Sequence, residues 1–290
     1  MKHCYKDFNF RQKTLGIINK ANEIIKEYRA EGYDLTLRQL YYQFVARDII
    51  PNKQAEYKKL GSIVNDGRLA GLIDWNSIVD RTRKHEQNGH WNSPAEIIAT
   101  AAKSYAIDSR ADQDDYLEVW VEKDALVGVI ERACEPLDVG YFSCRGYVSQ
   151  SAMWRAGGRF IDEELRNCIL LHLGDHDPSG INMTEDIQKR LDMFGADVDV
   201  VRIALNMEQV EEYQPPPNPV KQTDSRSGDY EDKFGDECWE LDALDPRVIT
   251  ELIEGHIEER TDEIKRDGLI TKQEKDRKKL QKISDNWKSN

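Results

Sequence analysis

The chain has 290 residues, a formal net charge of −13, 39% hydrophobic and 33% charged residues, which is enough for two domains with a sizeable core. No apolar run approaches the roughly 20 residues of a membrane-spanning helix, and the opening MKHCYKDFNF does not read as a signal peptide. Five scattered cysteines without a CxxC pair argue against a disulfide scaffold or a structural zinc site, so the expectation is a cytoplasmic protein with reduced thiols and no membrane partner.

Charge is unevenly spread. Residues 1–103 hold 17 Lys+Arg against 12 Asp+Glu, so an acidic protein opens with a mildly basic part that can follow a phosphate backbone. Within it, residues 11–30 carry apolar side chains at helical spacing (Leu15, Ile18, Ala21, Ile24, Ile25, Tyr28). EGYD breaks this helix, and Thr36 can cap a second, LRQLYYQFVARD, which stops near Pro51. EYKKLGSIVNDGRLAGLI reads as a third helix, and DWNSIVDRTR as a short wing strand or a turn. Three short helices with a basic edge suit a winged-helix or helix-turn-helix domain, or another small helical bundle. Arg81, Arg83 and Lys84 are candidate DNA-backbone contacts, although a short charge run also suits a solvated face.

Residues 104–116 read as a junction, and an α/β pattern begins beyond them. YLEVWVEK is a strand, ALVGVIERAC a helix, VGYFSCRG a strand and SQSAMWRAGGRFIDEEL a helix. CILLHLGD follows as a strand, then a helix from Asn182 to Phe194, then the strand DVDVVRIAL. Alternation of this kind predicts a parallel, doubly wound sheet. QPPPNPVKQTDSRSG is a polar connector, and the chain beyond 245 is helical and highly charged, expected as a solvated outer helix pair or a subunit contact. No Walker-type or other Gly-rich nucleotide loop is present.

Chemistry concentrates at two strand ends. Ile169, Leu170, Leu171 and Leu173 form a strand nearly apolar on both faces, closed by Gly174 and followed by Asp175 and Asp177. Glu122 ends the first α/β strand in the same way. Acids at the carboxyl ends of such strands lie where open α/β sheets bind ligands. Like charges held close resist ionisation unless a cation sits between them, and magnesium, or manganese in its place, suits carboxylate oxygens. The plainer alternative is a turn in which Asp175 caps the next helix. SCRGYVSQS, after the middle strand, brings Arg145 and Gly146 to the same edge. Of the neighbours, His172 is expected on a sheet face, His176 is a weaker candidate for touching substrate, and Lys123 either meets phosphate or is exposed. Glu118 and Asp124 read as surface or capping acids.

A Glu after one strand and D-x-D after a later one resembles the Toprim domain of topoisomerases, bacterial primases and some nucleases. GDHDPSG and FSCRGYVSQS look like one branch of it, the topoisomerase VI A subunit and the related meiotic double-strand-break transesterase. That branch carries a winged-helix domain ahead of Toprim with a segment like T-x-R-x-x-Y-Y, and residues 36–42 read TLRQLYY.

The resemblance implies Tyr42 as nucleophile, Arg38 as its phosphate-side neighbour, Glu122, Asp175 and Asp177 as magnesium ligands, and Arg145 as a nucleic-acid contact. Arg38 and Tyr42 are four apart on one helix face, so Tyr42 is expected to project while Tyr41 packs inward. The expected organisation is a winged-helix-like part at 1–103, a Toprim-like part at 104–245 and a charged helical segment at 246–290. Double-stranded DNA and a homodimer are the implied partners, and ATP-driven strand passage would need a separate ATPase subunit. Two other readings stay open: a Toprim nuclease using water, and a DNA-binding protein with an inactive metal site.

Overall fold

The structure, a computed structural model, describes residues 2–79, 88–163 and 165–288. Three helices open the chain: α1 (Gln12–Ala30), α2 (Leu37–Ala46) and α3 (Gln54–Leu69). They share a core of Ile18, Ile24, Tyr28, Leu40, Phe44, Leu60 and Val64, the stripe anticipated from periodicity. α2 begins at a capping box, with the Thr36 hydroxyl accepting from the Gln39 amide and the Gln39 side chain accepting from the Thr36 amide. Of the wing strand or turn expected over 74–83, the described residues form a single turn of 3₁₀-helix, Trp75–Ser77, followed by one parallel bridge from Ile78 to Leu35. Arg81, Arg83 and Lys84 lie outside the described residues.

Helix α4 (Pro94–Ser104) follows, and then the α/β part. Its elements are β1 (Asp115–Val121), α5 (Val127–Cys134), β2 (Gly140–Ser143), α6 (Gln150–Asp162), β3 (Asn167–Leu173), α7 (Pro178–Met193) and β4 (Asp199–Ala204). The four strands are parallel in the order β2-β1-β3-β4. The winding reverses between β1 and β3, so the switch-point crevice of this sheet opens at their carboxyl ends. Residues alternate between two cores. Leu117, Val119, Val121, Leu171 and Leu173 pack with α5, while Trp120 and Leu170 pack with Met153, Phe160, Met183 and Ile187 of α6 and α7.

Two expectations are corrected here. α7 begins at Pro178, ahead of Asn182, because proline fits the first helical position and the Asp177 carboxylate caps the Gly180 amide at 2.6 Å. The chain beyond 245 is also not wholly a solvated outer pair. α10 (Pro246–Glu258) buries Ile249, Ile253 and Ile257, one turn apart, in the same core as β1 and β3. The core therefore runs across the expected boundary at 245. Between β4 and α10 lie α8 (Met207–Tyr213), β5 (Asn218–Pro219), α9 (Ser227–Phe234), β6 (Glu237–Cys238) and a 3₁₀ turn at Leu241–Ala243. The last helix, α11 (Glu263–Lys288), lies along α4, where Ser284 donates to the Ala95 carbonyl and Arg277 to that of Tyr105.

The helical and α/β parts are tied together. Arg132 of α5 donates to the carbonyls of Glu31 and Gly32 and stacks over Tyr33, and the Tyr28 hydroxyl donates to Asp245 at 2.6 Å.

Candidate functional site

β1 and β3 run side by side with Val121 opposite Leu173, so Glu122 and Gly174 leave the sheet together. The Glu122 amide donates to the Leu173 carbonyl, and its Oε2 accepts from the Asp175 amide at 2.9 Å. Gly180 lets α7 start directly beneath this loop, because a Cβ there would stand 2.2 Å from the Asp175 carbonyl oxygen. Glu122, Asp175 and Asp177 line one cleft of about 820 Å³, together with Arg38, Lys123, Arg145, Lys221, Glu240 and Asp242.

The acids share a cleft but do not close on a single point. Asp175 places Oδ1 on the Leu241 amide at 2.8 Å and Oδ2 against the Lys123 ammonium at 2.9 Å. Asp177 is turned to cap α7. Among the described residues no group of three His, Cys, Asp or Glu is arranged to hold a metal as it stands. The donor set nonetheless fits a hard cation. Glu122 and Asp177 each spend one oxygen on a backbone amide, all three side chains are carboxylates, the donors a hard cation takes, and the Lys123 ammonium already pairs with Asp175.

Electrostatics follow from burial. The Asp175 carboxyl is pushed up to about 7 by burial and by Glu122 and Asp242, against the pull of Lys123. Glu122 is raised by burial and by Asp177. Beneath the loop, the half-buried Arg202 guanidinium donates to the carbonyls of Gly174, Asp175, Gly180 and Leu205 at 2.6–3.2 Å. Burial lowers Arg202 to about 10, so it stays charged at neutral pH and places a fixed cation under the acids.

Lys123 is the centre of a network that the sequence did not disclose. Its ammonium contacts Asp175 Oδ2 at 2.9 Å, Glu240 Oε2 at 2.9 Å and Asp242 Oδ1 at 3.0 Å. Burial works against its charge, but the three carboxylates outweigh that and raise it well above the ordinary lysine value. Burial likewise opposes the charge of Glu240, yet Lys123 and Arg38 hold it at about 2. The Arg38 guanidinium pairs with Glu240 and lies 3.0 Å from Asp242 Oδ2.

Arg38 therefore belongs to the cleft. Tyr42 does not line it, and its expected projection is corrected. Tyr42 is 2% exposed and Tyr41 4%, so both rings are core residues. Tyr41 bonds Asn52 and the Lys53 carbonyl, whereas among the described residues the Tyr42 hydroxyl bonds only Arg38, 3.4 Å away and also stacked over its ring. Burial, with Glu240 and Asp242, pushes the Tyr42 hydroxyl above its ordinary pKa. As folded, the phenol is less readily ionised than a free one.

The remaining residues sort cleanly. Arg145, with φ +55° ahead of Gly146 at +84°, is exposed at the cleft rim and pairs with Asp124 at 3.1 Å. Neither histidine reaches the cleft. His172 is buried against Thr184, and His176 lies among Tyr230, Phe234 and Trp239. Burial lowers them to about 3 and about 4. Glu118 is no surface acid. It is buried on the α6 side of β1, accepting two bonds from Arg159 at 2.8 Å and one from the Trp120 indole.

Comparison with protein-family models, curated proteins and solved structures finds no match to this chain. The site is that of a mixed α/β protein with a four-stranded parallel sheet, and no described helix is long and apolar enough to cross a membrane.

Proposed function

We propose that the chain is a magnesium-dependent DNA-cleaving transesterase resembling the topoisomerase VI A subunit, with Glu122, Asp175 and Asp177 as metal ligands and Tyr42 as nucleophile. The observation that carries this reading is that Arg38, one helical turn before Tyr42, enters the same cleft as the three acids. In this reading α1–α3 form a winged-helix-like DNA-binding part and the sheet a Toprim-like part. Double-stranded DNA, a second copy of the chain and, for strand passage, a separate ATPase chain are its partners.

Bound magnesium would supply positive charge against phosphate oxygens as charge builds in the transition state. Lys123, next to Glu122 and paired with Asp175, orients the phosphate together with Arg38, and Arg145 holds the neighbouring backbone at the rim. Tyr42 Oη forms a bond to phosphorus as the bond from phosphorus to a sugar oxygen breaks. The phenol proton passes to water and the departing sugar oxygen takes one up, so a phosphodiester is exchanged for a phosphotyrosyl ester and a hydroxyl. Because Tyr42 is buried in the helical core, its ring must leave that core before attack, with Arg38 kept in the cleft.

That same burial favours a second reading, a Toprim nuclease in which water attacks and Tyr42 only packs. Supercoiled plasmid incubated with protein and magnesium, stopped with SDS and split with or without protease, separates the two. Cleaved DNA that carries protein, lost in Tyr42→Phe and Asp175→Asn, supports the transesterase. Free ends that persist in Tyr42→Phe and vanish in Asp175→Asn support the nuclease. An absence of cleavage from the wild-type chain counts against both.

A further inference from the structure

We infer that Glu240 and Asp242 are positioning residues, which fix Lys123 and Arg38 as an adjacent pair of phosphate-facing cations and so join the tyrosine helix to the strand acids. The inference rests on the reading of the cleft as a phosphodiester site, and assigns a task within it to a segment 65 residues downstream of Asp175, at 240.

Each acid serves both cations. Glu240 Oε2 accepts from Lys123 at 2.9 Å and also pairs with Arg38. Asp242 accepts at Oδ1 from Lys123 at 3.0 Å, while its Oδ2 forms an ion pair with the Arg38 Nε at 3.0 Å without hydrogen-bond geometry. Two like charges are thereby held side by side, which they would not be alone. The Asp242 side chain is fully shielded, whereas those of Lys123 and Arg38 remain 22% and 39% exposed. Asp242 thus lies behind the cations, whereas Glu240, 25% exposed, stands beside them at the cleft surface. The backbone fixes the acids in turn. The Leu241 amide, between them, donates to Asp175, and Trp239 exchanges two backbone hydrogen bonds with His176. Residues 239–242 are therefore bolted to the D-x-D loop, and α2 is bolted to them through Arg38. Second-layer partners of this kind set the orientation of the groups that meet substrate.

A positioning role differs from metal ligation and from simple fold stability in what it moves. Asp242→Asn and Glu240→Gln keep shape and remove charge. Acetic anhydride labelling of Lys123 and phenylglyoxal labelling of Arg38 are followed by mass spectrometry, with Lys189 as an exposed internal reference, 71% exposed at its side chain. In both variants Lys123 and Arg38 label several-fold faster than in wild type while Lys189 is unchanged. Single-turnover plasmid cleavage falls by about 100-fold, with the magnesium concentration for half-maximal rate and the affinity for DNA unchanged.

Unchanged labelling of both cations would overturn the inference. So would an unchanged cleavage rate, or a rate loss that added magnesium restores, since the acids would then be metal ligands. If Asp242→Asn fails to fold, Glu240→Gln, at a partly exposed position, carries the same comparison. Accelerated labelling in a chain whose wild type cleaves nothing would sink the cleavage reading and leave the holding of the two cations standing.

Discussion

Replacing Lys123 by methionine tests the electrostatic account of the cleft most directly. The ammonium lies within 3.0 Å of three carboxylates, of which Asp175 and Asp242 are nearly or fully shielded from solvent. Removing one partner of a buried ion pair costs about 3–5 kcal/mol, because the opposite charge is left without compensation. The lower end applies, since Arg38 still pairs with Glu240 and Asp242 and Asp175 can take up a proton. At about 2 °C per kcal/mol for a chain of this size, the melting midpoint falls by about 6 °C near neutral pH. The sign of the pH dependence follows from Asp175. Its folded pKa, about 7, lies above the ordinary 3.8, so the folded state keeps a proton that the unfolded state has lost. Stability from this group therefore decreases as pH rises from about 4 to about 7. Lys123 is what limits that rise, so in Lys123→Met the window extends upward and the deficit grows with pH. Thermal melts of both proteins between about pH 5 and pH 8 should show a deficit that shrinks toward the acid end. A midpoint loss of less than about 2 °C near neutrality, or one equal at both ends, would refute the reasoning.

Gly180→Ala should lower the melting midpoint and weaken magnesium binding together, since its Cβ would meet the Asp175 carbonyl oxygen at 2.2 Å and displace the acid loop; a well-folded, metal-binding variant would contradict this packing. Ile253→Ala, in the core shared by α10 and the sheet, should cost about 2–5 kcal/mol by denaturant unfolding, whereas an outer helix would lose almost nothing. Magnesium should raise the melting midpoint of the wild type, by the equivalent of about 2.7 kcal/mol at a hundredfold excess over its dissociation constant, and leave Asp175→Asn unmoved. Equal response of the two proteins, or none in the wild type, would remove Asp175 from the metal site.

The strands that carry the acids were legible because a parallel strand covered on both faces must be apolar throughout, and Gly174 and the acids then mark its end. α2 and its cap were legible for a similarly local reason, the Thr36–Gln39 pair. What escaped was mostly long-range. Lys123 looked equally suited to phosphate or solvent, and its partners Glu240 and Asp242 lie more than a hundred residues away in a stretch without periodicity. Arg202 sits in a strand where a charged residue reads as outward-facing, yet it serves the backbone carbonyls of two loops. The sequence of α10 reads as helical but not as core, because its charged residues mask three isoleucines on one stripe. Some misses were local. Ser93, Pro94 and Glu96 form an ordinary helix start for α4, and Pro178-Ser179-Gly180 is a first helical turn that resembles a loop.

The charge of the cleft imposes an order on its use. Seven acids line it, Glu122, Asp124, Asp175, Asp177, Asp224, Glu240 and Asp242, against four cations, Arg38, Lys123, Arg145 and Lys221. Three of the cations are already paired with acids within the cleft. A phosphodiester approaching this surface without a metal meets a net negative field, which the overall charge of −13 reinforces. On the proposed reading, a divalent cation held first by Glu122, Asp175 and Asp177 would cut the formal charge of the cleft from −3 to −1 and free Lys123 from the competing demand of Asp175. If the cleft works as proposed, metal would bind before DNA, and magnesium, which ordinarily weakens protein–DNA contacts by screening phosphates, would strengthen them here.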